Sequence, residues 1–82
     1  MADETVELDA RGLICPLPVL KARKVLKTVP PSGLLRVLVT DPGAPKDFEH
    51  FCETTGSTLL SVEQSDGRII LMIRQAKYSG PT

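Results

Sequence analysis

The chain has no tryptophan, two phenylalanines, one tyrosine and a single histidine, His50. So few aromatics exclude a core built on large rings and leave few platforms on which bases could stack. One histidine gives little material for a histidine-based metal site or a Cys-His pair. Cysteine is scarce as well. Cys15 and Cys52 are the only two, and their distance apart matches neither a zinc pattern nor a Cys-x-x-Cys redox pair, so a reducing compartment leaves both free. The chain has no glycine-rich phosphate loop, and no run approaches the ~18 apolar residues that a membrane-spanning helix needs. Met1-Ala2-Asp3-Glu4-Thr5 lacks the basic start and apolar centre of a signal peptide. Net charge is absent too, with ten basic against ten acidic residues, which disfavours direct nucleic-acid binding. These absences predict a cytoplasmic protein with no metal, no cofactor and no membrane contact.

What is present is the make-up of an ordinary soluble domain: 41% hydrophobic and 24% charged over 82 residues, with seven prolines and six glycines marking turns. That length suits one core and two helices. The expectation is a single domain over 1–82, with an ordered core over about 5–76, a flexible tail over 77–82, and nothing that requires more than a monomer. Thr5 to Asp9 alternates as a half-buried strand does, and Asp9-Ala10-Arg11-Gly12 turns the chain. Val19, Ala22, Leu26 and Val29 recur at helical spacing, predicting a helix from about Pro18 to Val29 that Pro30-Pro31-Ser32-Gly33 stops. Leu34 to Thr40 reads as an apolar strand, and a strand-helix-strand unit of this length favours parallel pairing.

Asp41-Pro42-Gly43-Ala44-Pro45 forms the next loop, and Pro45 opens a second helix with Phe48, Phe51, Cys52 and Thr55 on one face and Gly56 as its stop. Ser57 to Gln64 and Arg68 to Ala76 read as strands joined at Asp66-Gly67, a dipeptide suited to a tight hairpin. The order β-α-β-α-β-β predicts an α/β (α+β) two-layer sandwich, with a four-stranded mixed sheet and both helices on one face. Alternation places Leu35, Val37 and Val39 opposite Leu34 and Leu38, and Ile69, Leu71 and Ile73 opposite Ile70 and Met72. Either the second face is an exposed apolar patch or the twisted sheet covers it.

Function concentrates in Gly12-Leu13-Ile14-Cys15-Pro16-Leu17-Pro18-Val19-Leu20. Each proline holds the residue before it out of the helical region, and Pro18 fits a first helical turn, so Cys15 sits at or just before a helix N-terminus. The dipole and unpaired N–H groups of a first turn favour a thiolate there, the nucleophilic form of cysteine. With Pro16 and Pro18 lacking donors, the N–H groups left to meet an anion are those of Leu17, Val19 and Leu20. Cys52, with Phe48 and Phe51 as its neighbours on one helix face, reads as a core thiol, and His50 as a solvent-facing helix residue.

The run from Leu8 to Pro18, Leu-Asp-Ala-Arg-Gly-Leu-Ile-Cys-Pro-Leu-Pro, resembles the signature of the TusA/SirA-like family of sulfur carrier proteins. Asp41-Pro42, Asp47-Phe48 and Thr55-Gly56 extend the resemblance over nearly the whole chain, from Thr5 to Ala76. It implies a βαβαββ sandwich in which Cys15 carries sulfane sulfur as a persulfide, a sulfurtransferase-type carrier rather than a self-sufficient enzyme. It also implies supporting roles for Pro16, Pro18, Gly12, Asp9 and Arg11, with Asp9 bonding the loop that presents Cys15. Family members relay sulfur for tRNA thiolation, cofactor biosynthesis or sulfur oxidation. The implied partners are a sulfur-donor protein, such as a cysteine desulfurase or a rhodanese-like protein, and an acceptor protein with a reactive cysteine. Several members have an acidic residue between the two prolines; Leu17 stands there in this chain.

Charge is unevenly spread. Arg11, Lys21, Arg23, Lys24 and Lys27 cluster with no acid among them, while Asp41, Asp47, Glu49 and Glu53 face only Lys46 in their own stretch. A basic rim beside Cys15, with Arg11 foremost, would favour the thiolate and steer an acidic partner, and Leu17, Lys21 and Arg23 are the candidate partner-binding residues. The plain alternative is that the lysines are only the solvated face of a helix. Two other functions remain open on sequence alone. One is an RNA- or protein-binding regulatory module like the C-terminal domain of a bacterial translation initiation factor. The other is a thiol redox protein, for which no resolving cysteine is evident.

Overall fold

A computed structural model describes residues 5–30 and 33–76. Its elements are β1 (Thr5–Asp9), α1 (Leu17–Leu26), β2 (Leu34–Val39), α2 (Ala44–Thr55), β3 (Thr58–Ser65) and β4 (Arg68–Arg74). The strands form one sheet in the order β1-β2-β4-β3. β1 and β2 run parallel, Thr5 opposite Leu34, and β4 pairs antiparallel with β2 and β3. This is the expected four-stranded mixed sheet in the expected element order.

The inward rows are the ones alternation selects. Leu35, Val37 and Val39 of β2 and Ile69, Leu71 and Ile73 of β4 are buried against Ala22 and Leu26 of α1 and Phe48, Phe51 and Cys52 of α2. Phe48 meets Phe51 edge to face at 6.0 Å between centroids, an arrangement the ring quadrupoles favour. Both helices therefore cover one face. On the other, Leu34, Arg36, Leu38, Ile70 and Met72 are half-exposed, with Arg36 paired to Glu7 at 3.5 Å, so twist alone does not cover the second apolar row.

Helix boundaries shift slightly from expectation. α1 begins at Leu17, and Pro18 occupies its second position, fully buried, where a missing N–H costs nothing. It ends at Leu26, not Val29: Thr28 and Val29 bond back only three residues, to Val25 and Leu26 at 2.8 and 3.0 Å, and Pro30 then excludes a further turn. α2 starts one residue before Pro45 and stops at Gly56, which takes φ 80° and donates its N–H to the Cys52 carbonyl at 3.0 Å. Asp66 and Gly67 adopt φ 50° and 78° in the β3–β4 hairpin. The tail from Lys77, and Pro31-Ser32 of the turn after α1, lie outside the described residues.

Candidate functional site

Parallel pairing brings the ends of β1 and β2 to the same edge, so the loops that follow them must meet. Ala10 prolongs the pairing, donating to the Leu38 carbonyl at 2.8 Å, and is fully buried. The chain then turns outward at Gly12, whose φ of 82° suits glycine and whose N–H donates to Thr40 Oγ1 at 3.0 Å. Cys15 follows. Its N–H donates to Asp41 Oδ2 at 2.9 Å, while Asp41 Oδ1 accepts the Gly43 N–H at 3.1 Å. One carboxylate thus ties the cysteine loop to the loop before α2.

The Cys15–Pro16 peptide is cis, Pro16 caps α1, and Cys15 is exposed. Of the three donors expected to face an anion, two are already used: Leu17 donates to the Ile14 carbonyl at 2.9 Å and Leu20 to the Pro16 carbonyl at 3.1 Å. Helix-end stabilisation of a thiolate is correspondingly reduced. An open cavity of about 310 Å³ lies between the helices. Cys15, Pro16, Val19 and Arg23 form one wall, and Asp47, His50, Phe51 and Thr54, which recur along one face of α2, form the other.

The electrostatics correct the sequence expectation of a favoured thiolate. The pKa of Cys15 is raised, first by its interaction with the Asp47 carboxylate, then by desolvation, then by the charges of Asp47 and Asp41. Arg11 does not offset this. Both of its side-chain bonds go to Asp9, Nε to Oδ1 at 2.8 Å and Nη2 to Oδ2 at 2.7 Å, and the pairing holds the Asp9 carboxyl at about 2. Asp9 does bond the loop, since Oδ1 also accepts the Arg11 N–H at 3.1 Å, but the group that reaches Cys15 itself is Asp41.

Cys52 is buried, and burial pushes its thiol up to about 11. Beside the cysteine loop, Ile14, Leu17 and Leu20 are exposed at 68%, 45% and 50%, enough to make an apolar patch next to the thiol. Leu13, Leu17, Leu20, Lys21 and Lys24 line a shallow hollow there, so Leu17 and Lys21 sit together while Arg23 faces the inter-helix cavity. Among the described residues no three His, Cys, Asp or Glu side chains converge to hold a metal, and no helix is long and apolar enough to cross a membrane. Sequence reasoning missed Asp41 and Asp47 as neighbours of the thiol. Parallel pairing of β1 and β2 was the available signal for Asp41.

The molecule is thus a two-layer sandwich that presents one exposed thiol from the loop before its first helix, with its other thiol buried in the core. The chain belongs to the TusA family: the family model described as sulfurtransferase TusA matches residues 6–75. It is 42% identical over 76 residues to the sulfur carrier protein TusA of Allochromatium vinosum, covering 93% of this chain and all 100% of that one. A putative sulfur carrier protein of Neisseria meningitidis serogroup A is 48% identical over 67 residues, covering 82% of this chain and 90% of the relative. Among solved structures, the SirA-like protein of Desulfitobacterium hafniense superposes with a TM-score of 0.76 at 28% identity, covering 87% of this chain and 97% of that chain. A sulfur carrier role follows from this membership.

Proposed function

We propose that the chain accepts sulfane sulfur as a persulfide on Cys15 and relays it to a cysteine of an acceptor protein in the cytoplasm. One observation carries the reading: of the chain's two thiols, Cys15 is exposed and Cys52 is buried. A carrier must attack the outer sulfur of a donor persulfide, hold it as Cys–S–SH, and then yield it to an incoming thiol. One accessible cysteine suffices for this, whereas a dithiol oxidoreductase needs a second thiol beside the first. The donor is of the cysteine desulfurase or rhodanese-like kind, and the destination is tRNA thiolation, cofactor synthesis or sulfur oxidation.

Partner recognition falls to the surface around the thiol. Ile14, Leu17 and Leu20 offer apolar contact with Lys21 beside them, and Arg23 lines the inter-helix cavity with Cys15, favouring a partner that brings an apolar patch and acidic groups to the thiol. Pro16, Pro18 and Gly12 set the direction of the thiol, and Asp9 and Arg11 brace the loop. Cyanolysis tests the reading. Protein incubated with a cysteine desulfurase and cysteine, then repurified, should release thiocyanate in proportion to chain, and Cys15→Ser should release none. Thiocyanate from Cys15→Ser equal to wild type overturns it.

A further inference from the structure

We infer that Asp47 is the proton partner of Cys15 in sulfur transfer: its carboxylate takes the thiol proton as Sγ attacks the donor persulfide and returns it to the departing donor thiolate. The inference rests on the carrier reading and assigns a second reacting group to the same site. Asp47 lies in the first turn of α2 and lines the same cavity as Cys15, facing it from the opposite wall. It enters no ion pair among the described residues, so its carboxylate is not committed to a cation.

The need for such a group follows from the state of the sulfur. A cysteine of ordinary acidity is mostly thiol at neutral pH, and the two carboxylates and desolvation disfavour its ionisation further, so the nucleophile must lose its proton during the attack. Other candidates fit less well. Asp41 has one oxygen on the Cys15 N–H and the other on the Gly43 N–H. Arg23 has no lone pair to offer. His50 lines the same wall as Asp47, about one turn further along α2 from its N-terminal end.

The step balances without an oxidant. Sγ of Cys15 forms a bond to the outer sulfur of R–S–S–H, and the bond between the donor's two sulfurs breaks. Its electron pair stays on the donor's inner sulfur. The proton passes from Cys15 to Asp47 and from Asp47 to that sulfur, giving Cys15–S–S–H and R–S–H. Delivery to an acceptor runs the same path in reverse, with Asp47 protonating Cys15 as it leaves.

The test compares wild type, Asp47→Asn, Asp47→Glu and His50→Gln in two rates at neutral pH: alkylation of Cys15 by iodoacetamide, and loading from glutathione persulfide, a donor too small to depend on protein docking. Losing the carboxylate raises the thiolate fraction but removes the proton path. Asp47→Asn should therefore alkylate faster than wild type yet load about a hundredfold or more slowly, the scale of a positioned proton-transfer group. Asp47→Glu should recover part of the loading rate, and His50→Gln should load as wild type does. Matching thermal unfolding midpoints show that the variants are folded. Loading by Asp47→Asn at or above the wild-type rate, unchanged alkylation, or a loading defect in His50→Gln alone overturns the inference. A wild type that alkylates but takes up no sulfur from any donor overturns the carrier reading itself.

Discussion

Replacing Gly12 by alanine separates the cost of backbone strain from the cost of misplacing the thiol. Gly12 and Gly56 share nearly the same left-handed backbone, φ 82° and 80°. A Cβ at Gly12 meets nothing within 4 Å, and one at Gly56 meets only the Ala76 Cβ, at 4.0 Å. Neither substitution clashes, so each cost is conformational. An L-residue in this region costs about 1–2 kcal/mol. The stiffer unfolded chain offsets about 0.4–1 kcal/mol of it. A net loss of about 1 kcal/mol lowers the unfolding midpoint of a domain this size by about 4–8 °C.

The two variants should therefore unfold at similar temperatures. Their sulfur loading should differ. Gly12 is tied to Thr40 Oγ1 and leads into the segment whose Cys15 N–H is held by Asp41, so relief of strain there re-aims the thiol. Gly56 closes α2 at its far end. Thermal unfolding by circular dichroism and initial loading rates, measured well below both midpoints, check both halves. Equal loading by Gly12→Ala and Gly56→Ala would refute the argument that the loop positions Cys15. An unchanged midpoint in either would refute the strain argument.

Phe48→Ala empties the centre of the core, where Phe48 is fully buried, and should cost about 3–5 kcal/mol in urea unfolding; a loss under about 1 kcal/mol would contradict the packing described. Cys52 in the native protein should resist iodoacetamide at neutral pH, because its thiol sits near 11 and is buried, and label on Cys52 before Cys15 would contradict that. Asp9 should titrate near 2 by NMR, returning toward 3.8 in Arg11→Gln. Because its folded value lies below the unfolded one, the stability it adds is present above the unfolded value and is lost as pH falls through about 2. An acid limb identical in wild type and Arg11→Gln would contradict the pairing.

The fold was legible because each element carried a local signal. Alternation in β2 and β4, helical spacing in α2, the positive φ demanded by Gly56 and the Asp66-Gly67 pair all act between near neighbours, and the structure follows them. The position of Cys15 ahead of a helix was equally local, written in Pro16 and Pro18. What was not legible was the electrostatic setting of the thiol. The Cys15–Asp41 bond joins residues 26 positions apart, and Asp47 reaches the cavity only because α2 packs beside α1. A tally of charge along the chain placed Arg11 nearest the sulfur in sequence and missed that Asp9, two residues earlier, takes both of its side-chain bonds. Parallel pairing of β1 and β2, itself expected, was the step that could have led to Asp41.

The most direct test of the central claim is intact-protein mass spectrometry after incubation with a cysteine desulfurase and cysteine, comparing wild type, Cys15→Ser and Cys52→Ser. Wild type and Cys52→Ser should each gain one reducible sulfur, about 32 Da, and Cys15→Ser should gain none. A gain that persists in Cys15→Ser, or that vanishes only in Cys52→Ser, would contradict the assignment of Cys15 as the sulfur-carrying residue.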